Sequence, residues 1–147
     1  MTSATDITGR DVLFDDQHLL LGTFLTGLEE APPGASPLEI VAHSLRSAAG
    51  FFPDEKRPFA RTRQAVIDKN PALQERERHK LAGIGTEIAE AMCARGVDPL
   101  HARLAAQTAA TVFGIAFAQW IRDDETRSLA VVTDEVLTAL RDLVTGS

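Results

Sequence analysis

The sequence predicts an all-α protein of six helices, within a range of about five to seven, and three observations carry that prediction. Ala, Leu, Arg and Glu are abundant and Tyr is absent, a composition tilted toward residues that lose little on entering a helix. β-branched residues seldom alternate with polar ones in the period of two that a strand requires. Three cap residues stand directly before a proline, at Ser36-Pro37, Asn70-Pro71 and Asp98-Pro99, and proline suits the first helical position because its missing N–H would be unpaired there anyway. With 147 residues, 44% hydrophobic and 24% charged, the chain is sized and composed for one core.

The first helix is expected from about Asp11 to Glu30, where Leu13, Leu20, Leu21, Phe24, Leu25 and Leu28 recur at steps of three and four before the APPGAS run ends the pattern. Residues 1–10 are expected to be a disordered or residual tail and residues 11–147 the folded domain. The second helix starts with Ser36, Pro37 and Glu39, a capping box, and its apolar face of Ile40, Val41, Leu45, Ala48 and Phe52 runs up to Pro53. The third spans Asp54 to Lys69 with Phe59, Val66 and Ile67 inside, its start set between Asp54 and Pro58 because proline is tolerated only in a first turn.

The fourth helix opens at Asn70-Pro71 and runs to Arg95, with Gly96 as its C-terminal cap. Leu73, Leu81, Ile84, Ile88 and Met92 form its inner face. Gly83 and Gly85 weaken its middle by roughly 1 kcal/mol each relative to Ala, so close packing or a need for room is expected there. The fifth helix runs from Asp98-Pro99 to about Asp123. The sixth runs from about Glu125 to Thr145, with Leu129, Val132, Val136, Leu140 and Leu143 on one stripe.

Charge and motifs narrow the function. The formal net charge of −6 disfavours a bare phosphate backbone as the partner of these residues, because sequence-independent nucleic-acid affinity rests on clustered Lys and Arg. The single Cys93 excludes an intramolecular disulfide, and it reads as a buried or half-buried filler. No signal peptide or apolar run near 18 residues stands in the sequence, so the expected location is cytoplasmic with no membrane partner. His18, His43, His79 and His101 are dispersed. The same-face pairs Asp15/His18, Glu75/His79 and Asp98/His101 do not repeat as a di-metal motif. Without a phosphate loop, nucleophile elbow or metal spacing, no catalytic residue, metal or cofactor is expected, and the protein reads as a non-enzyme.

The fifth helix raises a different possibility. Ala102, Ala106, Ala110, Gly114 and Ala118 fall every fourth position, a line along which another backbone can approach closely. Leu104, Val112, Phe113, Phe117, Trp120 and Ile121 flank it, so the helix is apolar over more of its circumference than a surface helix needs. The sixth adds a second apolar edge at Val131, Leu137 and Val144. The expectation is a homodimer joined by a four-helix bundle, two helices from each chain about a two-fold axis. Its contacts would be Ala106, Ala110, Phe113, Gly114, Phe117, Trp120, Leu129, Val132, Val136 and Leu140.

Three stretches carry a family resemblance. GRDVLFDD, RTRQAVIDKNPALQERERHKL and GVDPLHARLAAQTAATVFGIAFAQWI resemble, in turn, the segment entering the long connecting helix, the charged helix pair with an Asn-Pro turn, and the penultimate dimer-forming helix of the C-terminal regulatory domain of TetR-family transcriptional regulators. The resemblance covers about nine-tenths of the chain and rests on pattern. It implies a helix-turn-helix head ahead of this domain that alone contacts operator DNA, two such heads sitting about one DNA turn apart. It also implies a small, mostly apolar effector held among the first, second, fourth and fifth helices. On helix facing, Phe24, Leu28, His43, Phe51, Phe52, Ile84, Ile88, Met92, Thr108 and Thr111 would line that pocket, apolar wall with a few polar handles. A competing reading of the same residues is a helical interaction module without a cavity that pairs with a full-length relative. An all-α enzyme with a buried carboxylate or His is a third.

Overall fold

A computed structural model describes residues 9–146, with side chains from residue 19 onward. Among these residues it contains six α-helices: α1 (Gly9–Glu30), α2 (Pro37–Ala49), α3 (Arg57–Asp68), α4 (Pro71–Ala94), α5 (Pro99–Trp120) and α6 (Leu129–Thr145), with one 3-10 turn at Asp54–Lys56 and no strand. Helix α1 therefore takes in Gly9 and Arg10, and the remainder of the tail assigned to residues 1–10 lies outside the described residues. The Asp15/His18 pair also lies outside the described side chains.

Local chemistry accounts for the helix starts. Ser36 accepts from the Glu39 backbone N–H at 3.2 Å while the Glu39 carboxylate accepts from the Ser36 N–H at 2.9 Å, completing the capping box. Asn70 accepts from both Ala72 and Leu73 N–H. Asp98 departs from the pattern: its side chain makes no cap bond and pairs instead with His101 Nδ1 one turn on.

Two of the following boundaries differ from expectation, while the start of α3 falls between Asp54 and Pro58 as expected. Helix α2 closes at Ala49, so Phe51 and Phe52 lie in a turn, their N–H groups donating to Ala48 and Ala49 carbonyls. Helix α3 starts at Arg57 with Pro58 in its first turn. Helix α6 begins at Leu129, capped by Ser128, because the preceding residues are tied into the carboxylate cluster of Glu125.

Helix α5 is the centre of the fold, packed against α2, α4 and α6, while α1 lies across α2 and α4. Leu28, Ile40, Leu45, Ile88, Met92, Trp120, Leu129 and Leu137 are fully buried there, each contributing roughly 1.5–3 kcal/mol of transfer free energy. Helix α3 is peripheral and rests chiefly on α4. Of the two reasons expected for Gly83 and Gly85, close packing is not found at either. A Cβ at Gly83 would meet nothing within 4 Å and one at Gly85 only Gln107 Nε2 at 3.8 Å, whereas one at Gly27 would fall 2.8 Å from Ser44 Cα. Cys93 is exposed on α4, so it does not serve as the core filler that the sequence suggested.

Candidate ligand-binding cleft

The peripheral seating of α3 leaves a partly open cleft of about 730 Å³ between it and α5. The turn after α2 supplies one end. Phe51 and Phe52 stack edge to face at 5.0 Å, and Lys56 fixes the turn by donating to the Phe51 carbonyl at 3.1 Å while its ammonium sits 4.3 Å over the Phe51 ring. The α3 wall presents Phe59, Ala60, Arg63 and Gln64, and α4 adds Glu77 and Leu81. The α5 wall presents Ala110, Phe113, Gly114, Phe117, Ala118 and Ile121, and Leu20 of α1 reaches the same space.

The walls differ in character. Aromatic rings close the α5 side: Phe52 lies 5.2 Å from Phe117 and 6.0 Å from Phe113, and Phe113 meets Phe24 edge to face at 5.3 Å. Some of the polar lining groups are satisfied within the cleft, while Glu55, Lys56 and Asp68 also line it and make no ion pair among the described residues. Arg63 pairs with Glu77, both side chains 18% exposed, and Gln64 donates to Asp68 at 2.8 Å. Next to that pair, burial pulls the Lys80 ammonium below the ordinary lysine range, opposed by the nearby Glu77 carboxylate. A largely apolar surface with a few polar groups along one side suits a mostly apolar molecule.

Of the ten residues expected to touch an effector, Phe51 and Phe52 line this cleft. Phe24, Leu28, Ile84, Ile88 and Met92 are core residues; the helices expected to enclose a cavity press these side chains against one another instead. His43 is half-buried on α2 and does not line the cleft. Thr108 spends its hydroxyl on the Leu104 carbonyl at 2.7 Å, and Thr111 is exposed. Sequence reasoning missed the α3 wall because its inner face mixes Lys, Arg and Gln with Phe and Ala, which reads as a solvated helix. The available signal was the alignment of Ala110, Gly114 and Ala118 with Phe113 and Phe117, which makes room beside aromatic rings.

The expected dimer contacts need a parallel correction. Ala106, Trp120, Leu129 and Val132 are buried within their own chain, so their side chains have no surface left to offer a second copy. Phe113 is likewise buried and, with Ala110, Gly114 and Phe117, faces the cleft. Val136 and Leu140 are half-buried against the core.

Helix α5 carries a third face. With successive residues about 100° apart, the core and cleft residues account for most of its circumference. The remaining stripe contains Leu104, Thr108, Thr111 and Ile115, with Leu104 60% and Ile115 54% exposed. Val131 on α6 is also exposed. Among the described residues no helix is long and apolar enough to cross a membrane, and no group of three or more His, Cys, Asp or Glu is arranged to hold a metal ion.

Comparison with known families matches the chain to the family described as MftR C-terminal domain over residues 35–145, well over half of its length. No curated protein matches.

Proposed function

Because the chain belongs to the MftR C-terminal domain family of TetR-type regulators, we propose that it is a regulatory domain that binds a small, mostly apolar effector in the α3–α5 cleft and forms a homodimer. The observation that carries this reading is the shared helix. One face of α5 lines a cleft of about 730 Å³, and the neighbouring face exposes Leu104 and Ile115 to solvent. Those two side chains, with Val131 of α6, are the proposed centre of the contact with a second copy, replacing the buried residues named from the sequence.

The arrangement supplies a route from effector to dimer. A ligand wedged between α3 and α5 acts on a helix whose other side meets the partner, so a small tilt of α5 changes how the two chains sit. A ligand shifts this equilibrium only by its difference in affinity for the two arrangements. Operator DNA is contacted through a helix-turn-helix head and not through these residues, in keeping with their acidic balance. The compartment is the cytoplasm, where such a regulator meets its operator.

The test is a fluorescence titration with N-phenyl-1-naphthylamine, a neutral apolar probe. Saturable enhancement at one probe per chain, weakened at least tenfold by Leu81→Asp in the cleft wall, is expected. No saturable binding by the wild-type protein sinks the effector reading and favours an interaction module without a ligand.

A further inference from the structure

Gly114 lies in the interior of α5, where glycine is disfavoured more than any residue except proline. Nothing in the chain's own packing requires it. A Cβ built there meets no heavy atom within 4 Å, and the backbone has ordinary helical geometry. The empty space belongs to the cleft, whose α5 wall Gly114 shares with Phe113 and Phe117. Phe59 and Ala60 of α3 line the same cleft and Gly114 is itself exposed, so a side chain at position 114 has open space to enter.

We infer that Gly114 sets the width of ligand the cleft accepts, and that the occupant is a fused or linked ring system wider than one naphthalene, lying flat over position 114. This rests on the cleft being the effector site. Two features of the walls point to flat rings. Phe52 and Phe117, both half-buried, lie edge to face at 5.2 Å, geometry that accepts a further ring by offset or edge contact. The backbone at Gly114 lets a planar ligand approach the helix without a methyl between them.

The experiment uses two neutral probes that share a fluorophore and differ by one ring, N-phenyl-1-naphthylamine and 1-naphthylamine, titrated into wild type, Gly114→Ala and Gly114→Leu, with oligomeric state followed by sedimentation. Gly114→Leu is expected to weaken the larger probe at least tenfold and the smaller less than threefold. Gly114→Ala should shift the ratio in the same direction by a few-fold, and the sedimentation coefficient should not change. Equal weakening of both probes, or no change in either, overturns the inference while leaving the cleft as a site. So does a Gly114→Leu protein that loses its helical circular dichroism, because the space would then not be open, or one that changes oligomeric state without changing the probe ratio. A wild-type protein that binds neither probe removes the cleft reading itself, and this inference with it.

Discussion

The guanidinium of Arg57 lies 5.1 Å from the ring of Trp120, and the same side chain donates from Nη1 to the Glu125 carbonyl at 2.8 Å and from Nη2 to the Arg127 carbonyl. One turn along α3, Arg61 donates to the Ile121 and Arg122 carbonyls at 2.8 and 2.7 Å. The two arginines thus hold the peripheral α3 onto the end of α5, where the helix dipole and its unpaired carbonyls attract cations. Arg57→Ala removes hydrogen bonds to two carbonyls and to the Asp54 carboxylate, together with a ring contact. It should lower stability by about 2–4 kcal/mol, read as a fall in the urea midpoint. Arg57→Lys should restore little, because one ammonium cannot span both carbonyls with the planar fork of a guanidinium.

Trp120 is 0% exposed and is enclosed by Phe52, Phe117 and Arg57 of its own chain. Its emission should therefore stay blue-shifted when the proposed dimer dissociates. Ile115→Glu, which places a charge in the exposed α5 stripe, should halve the mass in light scattering while leaving the emission maximum in place. A red shift that accompanies monomer formation would put Trp120 at the contact after all.

Glu125 is buried yet fully ligated. The Arg127 side chain donates to it, Gln119 Nε2 donates at 2.9 Å, and the Arg127 and Thr126 backbone N–H groups donate at 2.9 and 3.0 Å. The Arg127 guanidinium, then Gln119, then the Arg127 backbone N–H hold its carboxyl far below the usual glutamate range. A folded-state pKa depressed in this way adds stability above the unfolded value of about 4.3, and that contribution is lost as pH falls below it. Glu125→Gln should thus lower the melting temperature at pH 7, with the gap from wild type shrinking steadily below pH 4. A gap that is independent of pH would mean that packing, not ionisation, accounts for the effect.

The helices were legible because their signals are local. Ser36, Pro37 and Glu39 declare a start within four residues, and Asn70-Pro71 does so within two. What stayed hidden depends on pairings across 60 or more residues, such as Arg61 with Ile121 or Arg57 with Glu125. No periodicity marks an arginine that reaches a distant carbonyl. The site was half legible for the same reason. The apolar excess of α5 was visible from its sequence, but an excess does not say which neighbour covers it. The fold divides that surface among core, cleft and open stripe. Phe24 and Met92 satisfy the same periodicity as a pocket wall and turn out to be core because α1 and α4 close over them.

The sharpest test of the α1–α2 packing is one substitution made twice on the same helix. At Gly22 an added Cβ meets nothing within 4 Å, whereas at Gly27 it would fall 2.6 Å from Ser47 Cβ and 2.8 Å from Ser44 Cα, with Ser44 Oγ already committed to the Phe24 carbonyl at 2.7 Å. Alanine is favoured over glycine in a helix interior by about 1 kcal/mol at either position. At Gly22 nothing opposes that gain, so Gly22→Ala should raise stability by about 0.5–1 kcal/mol. At Gly27 the methyl must push two helices apart or break the Ser44 bond, and overpacking of this kind costs about 1–3 kcal/mol. Gly27→Ala should therefore be destabilising despite its better propensity. Opposite signs in paired urea denaturations are the expected result, and equal stabilisation by both would show that α1 does not press on α2 at Gly27.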